Sequence, residues 1–411
     1  MLKVLWVTPY PPDGAGGGGQ IRQARLLDSL AAAAEIRLVT PGPVVDDRVR
    51  AATGVVEVAA ARRPWREHHP WGRRLADVVA AAAARQPIEV RAQRGVRASI
   101  GPAVDAAMAD FDPDVVLVEF AGLAPLLTPA RHGRARWVLT LHNLPSRMAA
   151  HQAQVMPHRR QRWLLARDAR AAARFERGAA AAFDAVIVCT DEDAAFVTGR
   201  APHDPSTPVI VVPNGTDVDR YHPTPLPAEA RLVFTGALYT VPNVDALRWF
   251  CREVLPRVRS EVPSACLDIV GQRPAPEVRT LAEPAVVAIH ADVASVEPYF
   301  EAARVAVVPV RVGSGSRLKA LDALAAGRPV VGTTIGLEGL GLRPGEHALV
   351  ADDAPAFAAA VVRLLRDDEA ASNLAAAGRR AVEQRFGWVA IGAAFTDAVV
   401  TLAAPAATSR Q

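Results

Sequence analysis

Short runs of aliphatic and β-branched residues alternate with longer Ala-, Leu- and Arg-rich stretches of helical spacing almost from the first residue. Lys3–Thr8 is a nearly unbroken apolar run of strand length, the pattern of a strand buried on both faces of a parallel sheet. Arg37–Thr40, Val55–Val58, Asp114–Val118, Trp137–Leu141 and Ala185–Cys189 repeat it. Helical patterns such as Ile21–Leu30 separate most of these strands, as a βαβ architecture requires.

The pattern breaks over Arg200–Pro208, where Pro202, Pro205 and Pro208 can continue neither a helix nor a central strand. An interdomain linker is expected there. The alternation then restarts with Val209–Val212, Leu232–Thr235, Leu267–Val270, Val286–Ile289, Val305–Val308, Val330–Val331 and Leu349–Val350. Helices Ala354–Leu365, Glu369–Phe386 and Val389–Leu402 close the chain. The expected organisation is α/β, with parallel-sheet domains over residues 1–205 and 206–386 and a terminal helix in 387–411 packing back on the first domain. Such an arrangement implies a cleft between the domains, at the carboxyl ends of the two sheets.

Composition narrows the class. A length of 411 residues suits two or three domains at about 100–200 residues each. With 50% hydrophobic and 22% charged residues, the chain is not a disordered one. Cys189, Cys251 and Cys266 lack CxxC spacing and read as buried thiols in a reducing compartment, not as a disulfide framework. No apolar run reaches the roughly 18–20 residues of a membrane span, and the apolar N-terminus stops at Pro9, too short for a secretory leader. A soluble, cytoplasmic protein is expected. The net charge of +4, spread over 47 basic and 43 acidic residues, favours anionic small molecules or an acidic surface. It is too dilute for a dedicated nucleic-acid binder.

Two segments carry candidate chemistry. Gly14, Gly16, Gly17, Gly18 and Gly19 follow the first strand and open a helix that ends the loop at Gln20. Glycines let a backbone approach a ligand closely, and a helix N-terminus offers free N–H groups to an anion. The spacing matches neither G-x-G-x-x-G nor a P-loop. The second segment runs Val308–Val331. There a strand ends in the Gly313-Ser314-Gly315-Ser316 loop, Ser316 is placed to cap the following helix, and Gly327 with Pro329 stops it. Ser316, Lys319 and Asp322 are three apart and share one helix face. A cation and backbone donors at a helix start can hold a diphosphate, and a carboxylate one turn later can accept ribose hydroxyls. Arg317 stands beside them.

Other features stay open between a functional and a structural role. Glu119, at a strand's carboxyl end, suits either an acceptor contact or an ion pair. The basic and aromatic segment Arg62–Arg74 and the amphipathic basic helix Arg159–Arg167 suit an anionic or membrane surface, or plain solvation. His68-His69 has no convergent partners for a metal, and Asp191-Glu192-Asp193, Asp352-Asp353 and Asp367-Asp368 fall at helix starts or turns.

In order and spacing, Val7–Pro12 with the glycine loop, Leu141-His142-Asn143, Val211–Asp217, Phe234–Leu238, Pro242–Ala246, Ile269–Gly271 and Ala326–Val331 resemble the retaining GT-B glycosyltransferases of glycosyltransferase family 4. The resemblance covers nearly the whole chain. It implies two Rossmann-like domains facing each other across a cleft, the C-terminal one binding a nucleoside-diphosphate sugar and the N-terminal one binding an acceptor. On that basis Gly16–Gly19, Asn214, Gly236, Ser314, Gly315, Ser316 and Asp322 are donor-binding candidates, and Glu119 and Gln20 acceptor-binding candidates. His142, Arg317 and Lys319 are the catalytic candidates, His142 near the donor sugar and the two cations on the diphosphate.

The family's paired glutamates fall on Ser314 and Asp322, so one acid is absent and the other is a methylene shorter. The usual basic pair after the first C-domain strand is also absent, since Tyr239–Asn243 holds no Lys or Arg. The resemblance implies metal-independent, retaining transfer with no cofactor beyond the nucleotide-sugar co-substrate. A non-catalytic nucleotide-binding or partner protein, suggested by Ser314, and a sugar-nucleotide epimerase stand as alternatives.

Overall fold

Each predicted apolar run becomes a strand, and the strands pair in parallel. The computed structural model describes residues 1–14, 16–58, 87–126, 133–156, 158–199, 207–315 and 317–404. Within them the chain forms two compact units, Met1–Pro213 with the chain from Val389 onward, and Asn214–Trp388.

The first unit carries β1 (Leu2–Val7), β2 (Ala34–Pro41), β3 (Gly54–Val58), β4 (Val115–Glu119), β5 (Arg136–Leu141), β6 (Ala185–Val188) and β7 (Val209–Val211). Their spatial order is β3-β2-β1-β4-β5-β6-β7. Val4–Val7 and Val115–Val118 are fully buried, as strands covered on both faces must be. The second unit carries β8 (Arg231–Ala237), β9 (Cys266–Gln272), β10 (Val287–Ala291), β11 (Val305–Val308), β12 (Val330–Gly332) and β13 (Leu349–Val350), ordered β10-β9-β8-β11-β12-β13. Strand order reverses between β1 and β4 in one sheet and between β8 and β11 in the other. Loops leaving the carboxyl ends of such a pair diverge to opposite faces and leave a crevice, so these are the two places where a ligand site is expected.

The boundary predicted between residues 205 and 206 lies at 213/214 instead. Val209–Val211 pairs with Val186–Val188 of β6, and the Val186 N–H donates to Pro208 O at 2.9 Å. The proline-rich stretch is therefore a crossover within the first unit; Arg200 to Ser206 lie outside the described residues. Helix Trp388–Ala403 packs in the first unit from Val389 on, Phe395 meeting Trp6 at 5.7 Å between ring centroids.

One acid of each pair caps a helix, Asp353 accepting from Ala356 N at 2.8 Å and Asp367 from Ala370 N at 2.9 Å, while Asp352 accepts from Thr334 and Asp368 pairs with Arg304. Cys189 is buried while Cys251 and Cys266 are only half-buried, and all three are free. Burial pushes the Cys189 thiol up to about 11. No helix among the described residues is long and apolar enough to cross a membrane.

Candidate active site

At the first switch point, the glycine loop leaving β1 meets the residues that end β4 and β5. Glu119 is the last residue of β4, and His142 follows β5; they are 1% and 8% exposed. The His142 Nε2 bonds the Glu119 carboxylate. Because a carboxylate can only accept, Nε2 carries the hydrogen and Nδ1 is left as an acceptor, with no hydrogen-bond partner among the described residues. Burial holds the His142 pKa below its ordinary value, against the opposing pull of Glu119, so the ring is neutral at pH 7.

Phe120 sits at φ +67, an unusual backbone state for a bulky residue, and lays its ring over His142 with centroids 4.3 Å apart. Tyr10 packs on Phe120 in turn, at 5.1 Å. Gly19 closes the cluster. A Cβ there would come within 2.6 Å of Tyr10 Oη and 3.6 Å of His142 Nδ1, so any larger residue must displace the Tyr10 ring and fill the space beside the imidazole.

Gly16 and Gly17 form the turn and Gly18 begins the helix Gly18–Leu30. Gln20 does not reach outward. Its Oε1 accepts from Gly17 N at 3.2 Å and its Nε2 donates to Pro11 O at 3.0 Å, so the amide holds the loop closed. Glu119 likewise is committed to His142. Both residues, expected at the acceptor, here support the loop and the imidazole.

At the second switch point, β8 and the loop after β11 converge on Lys319. Lys319 stands in the first turn of helix Leu318–Ala325, whose Ala320, Leu321, Leu324 and Ala325 are buried and fix its orientation. Its Nζ donates to Asn243 Oδ1 at 2.6 Å and lies 4.0 Å from the Phe234 ring centroid. Asn243 Nδ2 donates to Ala237 O at 2.8 Å, so the amide is fixed with its oxygen toward the lysine.

Gly236 leaves room for the ammonium: a Cβ there would lie 2.8 Å from Nζ. Gly271 of β9 is needed beside it, since its Cβ would fall 1.7 Å from Gly236 O. Lys319 has no carboxylate partner among the described residues, and burial, with the Arg317 charge adding, pushes it down to about 7. The cation absent from Tyr239–Asn243 is thus delivered to that loop from the helix after β11.

Arg317 behaves differently from the expectation. Its Nε donates to Ile335 O at 2.9 Å, its Nη1 to Ser314 O at 2.8 Å, and its Nη2 is 3.9 Å from Glu338. The guanidinium staples the Gly313–Gly315 loop to the Ile335–Glu338 segment. Ser314 is buried and Gly315 turns at φ +74. The helix starts at Leu318 with Arg317 in the cap position, one residue past the cap predicted at Ser316, which lies outside the described residues.

Asp322 turns away from Lys319. Thr216 Oγ1 donates to its Oδ1 at 2.7 Å and Tyr221 bonds it as well. Burial pushes the carboxyl up to about 6 against these bonds and the Arg220 charge. Asn214, buried, precedes Thr216 in the same segment. The predicted shared face therefore splits, Lys319 serving β8 and Asp322 serving the 214–221 segment. Tyr10, Phe120, Thr216, Tyr221 and Glu338 were not legible as site residues, because each acts through a tertiary contact that has no local sequence spacing. The segment Arg62–Arg74 with His68 and His69 lies outside the described residues.

A family model described as Glycosyltransferase Family 4 matches residues 16–220, and one described as Glycosyl transferases group 1 matches residues 229–367. A sucrose-phosphate synthase from Thermosynechococcus elongatus is similar with a TM-score of 0.74 at 19% identity, covering 98% of this chain and 99% of that one. Anabaena HepE, solved with UDP and glucose, gives 0.65 at 13% identity over 98% and 100% of the two chains. TarM of S. aureus gives 0.68 at 10% identity over 98% and 99%.

An uncharacterized 44.6 kDa protein in the cps region of Klebsiella pneumoniae is 28% identical over 141 residues. That match takes in 32% of this chain and 36% of the relative, so the chain spans about a third of the length of the curated relative it matches. At these identities the structural likeness carries the fold, and the family models carry the membership. The chain belongs to glycosyltransferase family 4, the group 1 glycosyl transferases, and has their GT-B fold.

Proposed function

We propose that the protein transfers a sugar, with retention of configuration and without a metal ion, from a nucleoside-diphosphate sugar to a hydroxyl group. The observation that carries this reading is Lys319. A half-buried ammonium with no carboxylate partner among the described residues stands at the carboxyl end of β8, beside Gly236 and the first turn of helix Leu318–Ala325. As the bond from the anomeric carbon to the diphosphate breaks, negative charge grows on the leaving oxygen. Lys319 and the positive N-terminal end of that helix supply the compensation. The acceptor oxygen attacks from the leaving-group side and its proton passes to the departing phosphate oxygen, so no enzymic nucleophile is required.

The second unit is assigned the donor, an assignment supported by the UDP and glucose held by HepE. The first unit is assigned the hydroxyl-bearing partner, with His142 Nδ1 as a hydrogen-bond acceptor held by Glu119 and Phe120. Arg317 acts as a positioning residue for the Ser314 loop rather than as a diphosphate contact. The buried Ser314 in place of an acid favours a second reading, a nucleotide-binding protein without turnover.

A thermal-shift screen of nucleotide sugars in the presence of a chelator separates the two. The first reading expects one donor to stabilise the protein and to be consumed on adding an acceptor, with product of the donor's own anomeric configuration. Stabilisation without consumption across all acceptors supports the second reading. No stabilisation by any nucleotide sugar removes both.

A further inference from the structure

Helix Arg159–Ala182 of the first unit has two unlike faces. Ala169, Ala172, Glu176, Ala179 and Ala180 are buried, and Glu176 accepts from Ser146 N at 2.9 Å, which fixes the rotation of the helix about its axis. On the opposite side Arg160, Trp163, Arg167, Arg170, Arg174 and Arg177 are exposed, spaced alternately three and four residues apart. That spacing places all six on one straight stripe, about 25 Å long at the helical rise.

The stripe contains five arginines and no acid, more positive charge than the +4 of the whole chain. Arg160, Arg170 and Arg174 make no ion pair among the described residues, while Arg177 Nε donates to Phe196 O at 3.3 Å. Within the stripe Trp163 is 57% exposed, with the Arg167 guanidinium 5.7 Å from its ring.

We propose that this stripe docks the first unit on an anionic lipid surface. A long, straight row of arginines matches a plane of negative headgroups, each cation contributing to attraction near that plane. A large exposed indole gains by settling at the headgroup boundary, where one edge is apolar and the polar edge stays wet. A nucleic acid would also answer the charge. The straight row of cations and the surface-lying tryptophan within it favour the lipid. The inference stands on the first unit alone and is independent of the transfer reaction.

The test is flotation of the full chain with vesicles of phosphatidylcholine alone, or of equal parts phosphatidylcholine and phosphatidylglycerol, at low and high ionic strength. The protein is expected to float with the anionic vesicles only and to be released by salt. The double variant Arg170→Glu, Arg174→Glu should lose at least about 10-fold in partitioning. The variant Trp163→Ala should lose the blue shift of tryptophan emission that accompanies binding, and both variants should keep the parent's melting temperature. Equal flotation with neutral vesicles, no flotation of the parent, undiminished binding of the double variant, or tighter binding to a DNA duplex than to anionic vesicles would each overturn the proposal.

Discussion

Lys319 is an ammonium that burial holds near the edge of deprotonation. With a pKa of about 7 against an ordinary 10.5, it is close to half charged at neutral pH. A bound diphosphate restores the missing counter-charge and raises that pKa, so donor binding draws a proton from solution. Calorimetry in buffers of different ionisation enthalpy should show about half a proton taken up at pH 7, more at pH 8, and none in Lys319→Met.

Asp322 has the opposite sign. Its folded pKa of about 6 lies above the ordinary 3.8, so the folded state holds the proton more tightly. Its stabilising contribution is present at low pH and is lost as pH rises from about 4 through about 6. Asp322→Asn should therefore melt above the parent at pH 8, with the difference vanishing below about pH 4. If the carboxylate also holds the donor, the same variant binds the donor more weakly. Equal melting at pH 8 would show that Asp322 is not strained by burial.

Elements explain why those residues meet. The central strands could be read from apolar runs because a strand covered on both faces has no polar face to break the run, as in Val4–Val7 and Val305–Val308. The half-exposed edge strands Gly54–Val58 and Val287–Ala291 were legible from their β-branched residues and turn-bounded spacing. The Gly-rich loops that open helices Gly18–Leu30 and Leu318–Ala325 were legible because clustered glycines break regular structure locally, although the helices start at Gly18 and Leu318 rather than at Ile21 and after Ser316. What was not legible is where long side chains go. Arg317 and Lys319 are two residues apart, yet one binds the Ile335 carbonyl and the other reaches Asn243.

The domain boundary was misplaced because three prolines mark a break in regular structure without saying which sheet the next strand joins. Helix Leu318–Ala325 is held from behind by helix Asp368–Arg385 at Gly378, where a Cβ would lie 2.5 Å from Leu324 Cδ2 and 2.8 Å from His347 O. Gly378→Ala should cost roughly 1–3 kcal/mol of stability despite alanine's better helix propensity, read as a lower urea midpoint. An unchanged or higher midpoint would show that the two helices have slack. Gly19→Ala tests the other junction: it should abolish turnover while leaving the melting temperature within a few degrees, since Tyr10 can swing aside but the space beside His142 is lost.

For the whole molecule, two α/β units of similar size each place one cluster at the switch point of its own sheet. The clusters differ in kind, a neutral imidazole held by a carboxylate in one and a poised ammonium in the other. That division fits one unit handling a hydroxyl and the other an anionic leaving group, and the modest overall charge conceals both. The central claim is that Lys319 stabilises a departing nucleoside diphosphate. It is tested most directly by the rate of nucleoside-diphosphate release from a panel of nucleotide sugars, with chelator present, by the parent and by Lys319→Ala. The account predicts release from one donor by the parent and a loss of roughly 100-fold in the variant at unchanged fold. Release by Lys319→Ala at the parent's rate, or none from any donor by the folded parent, would contradict it.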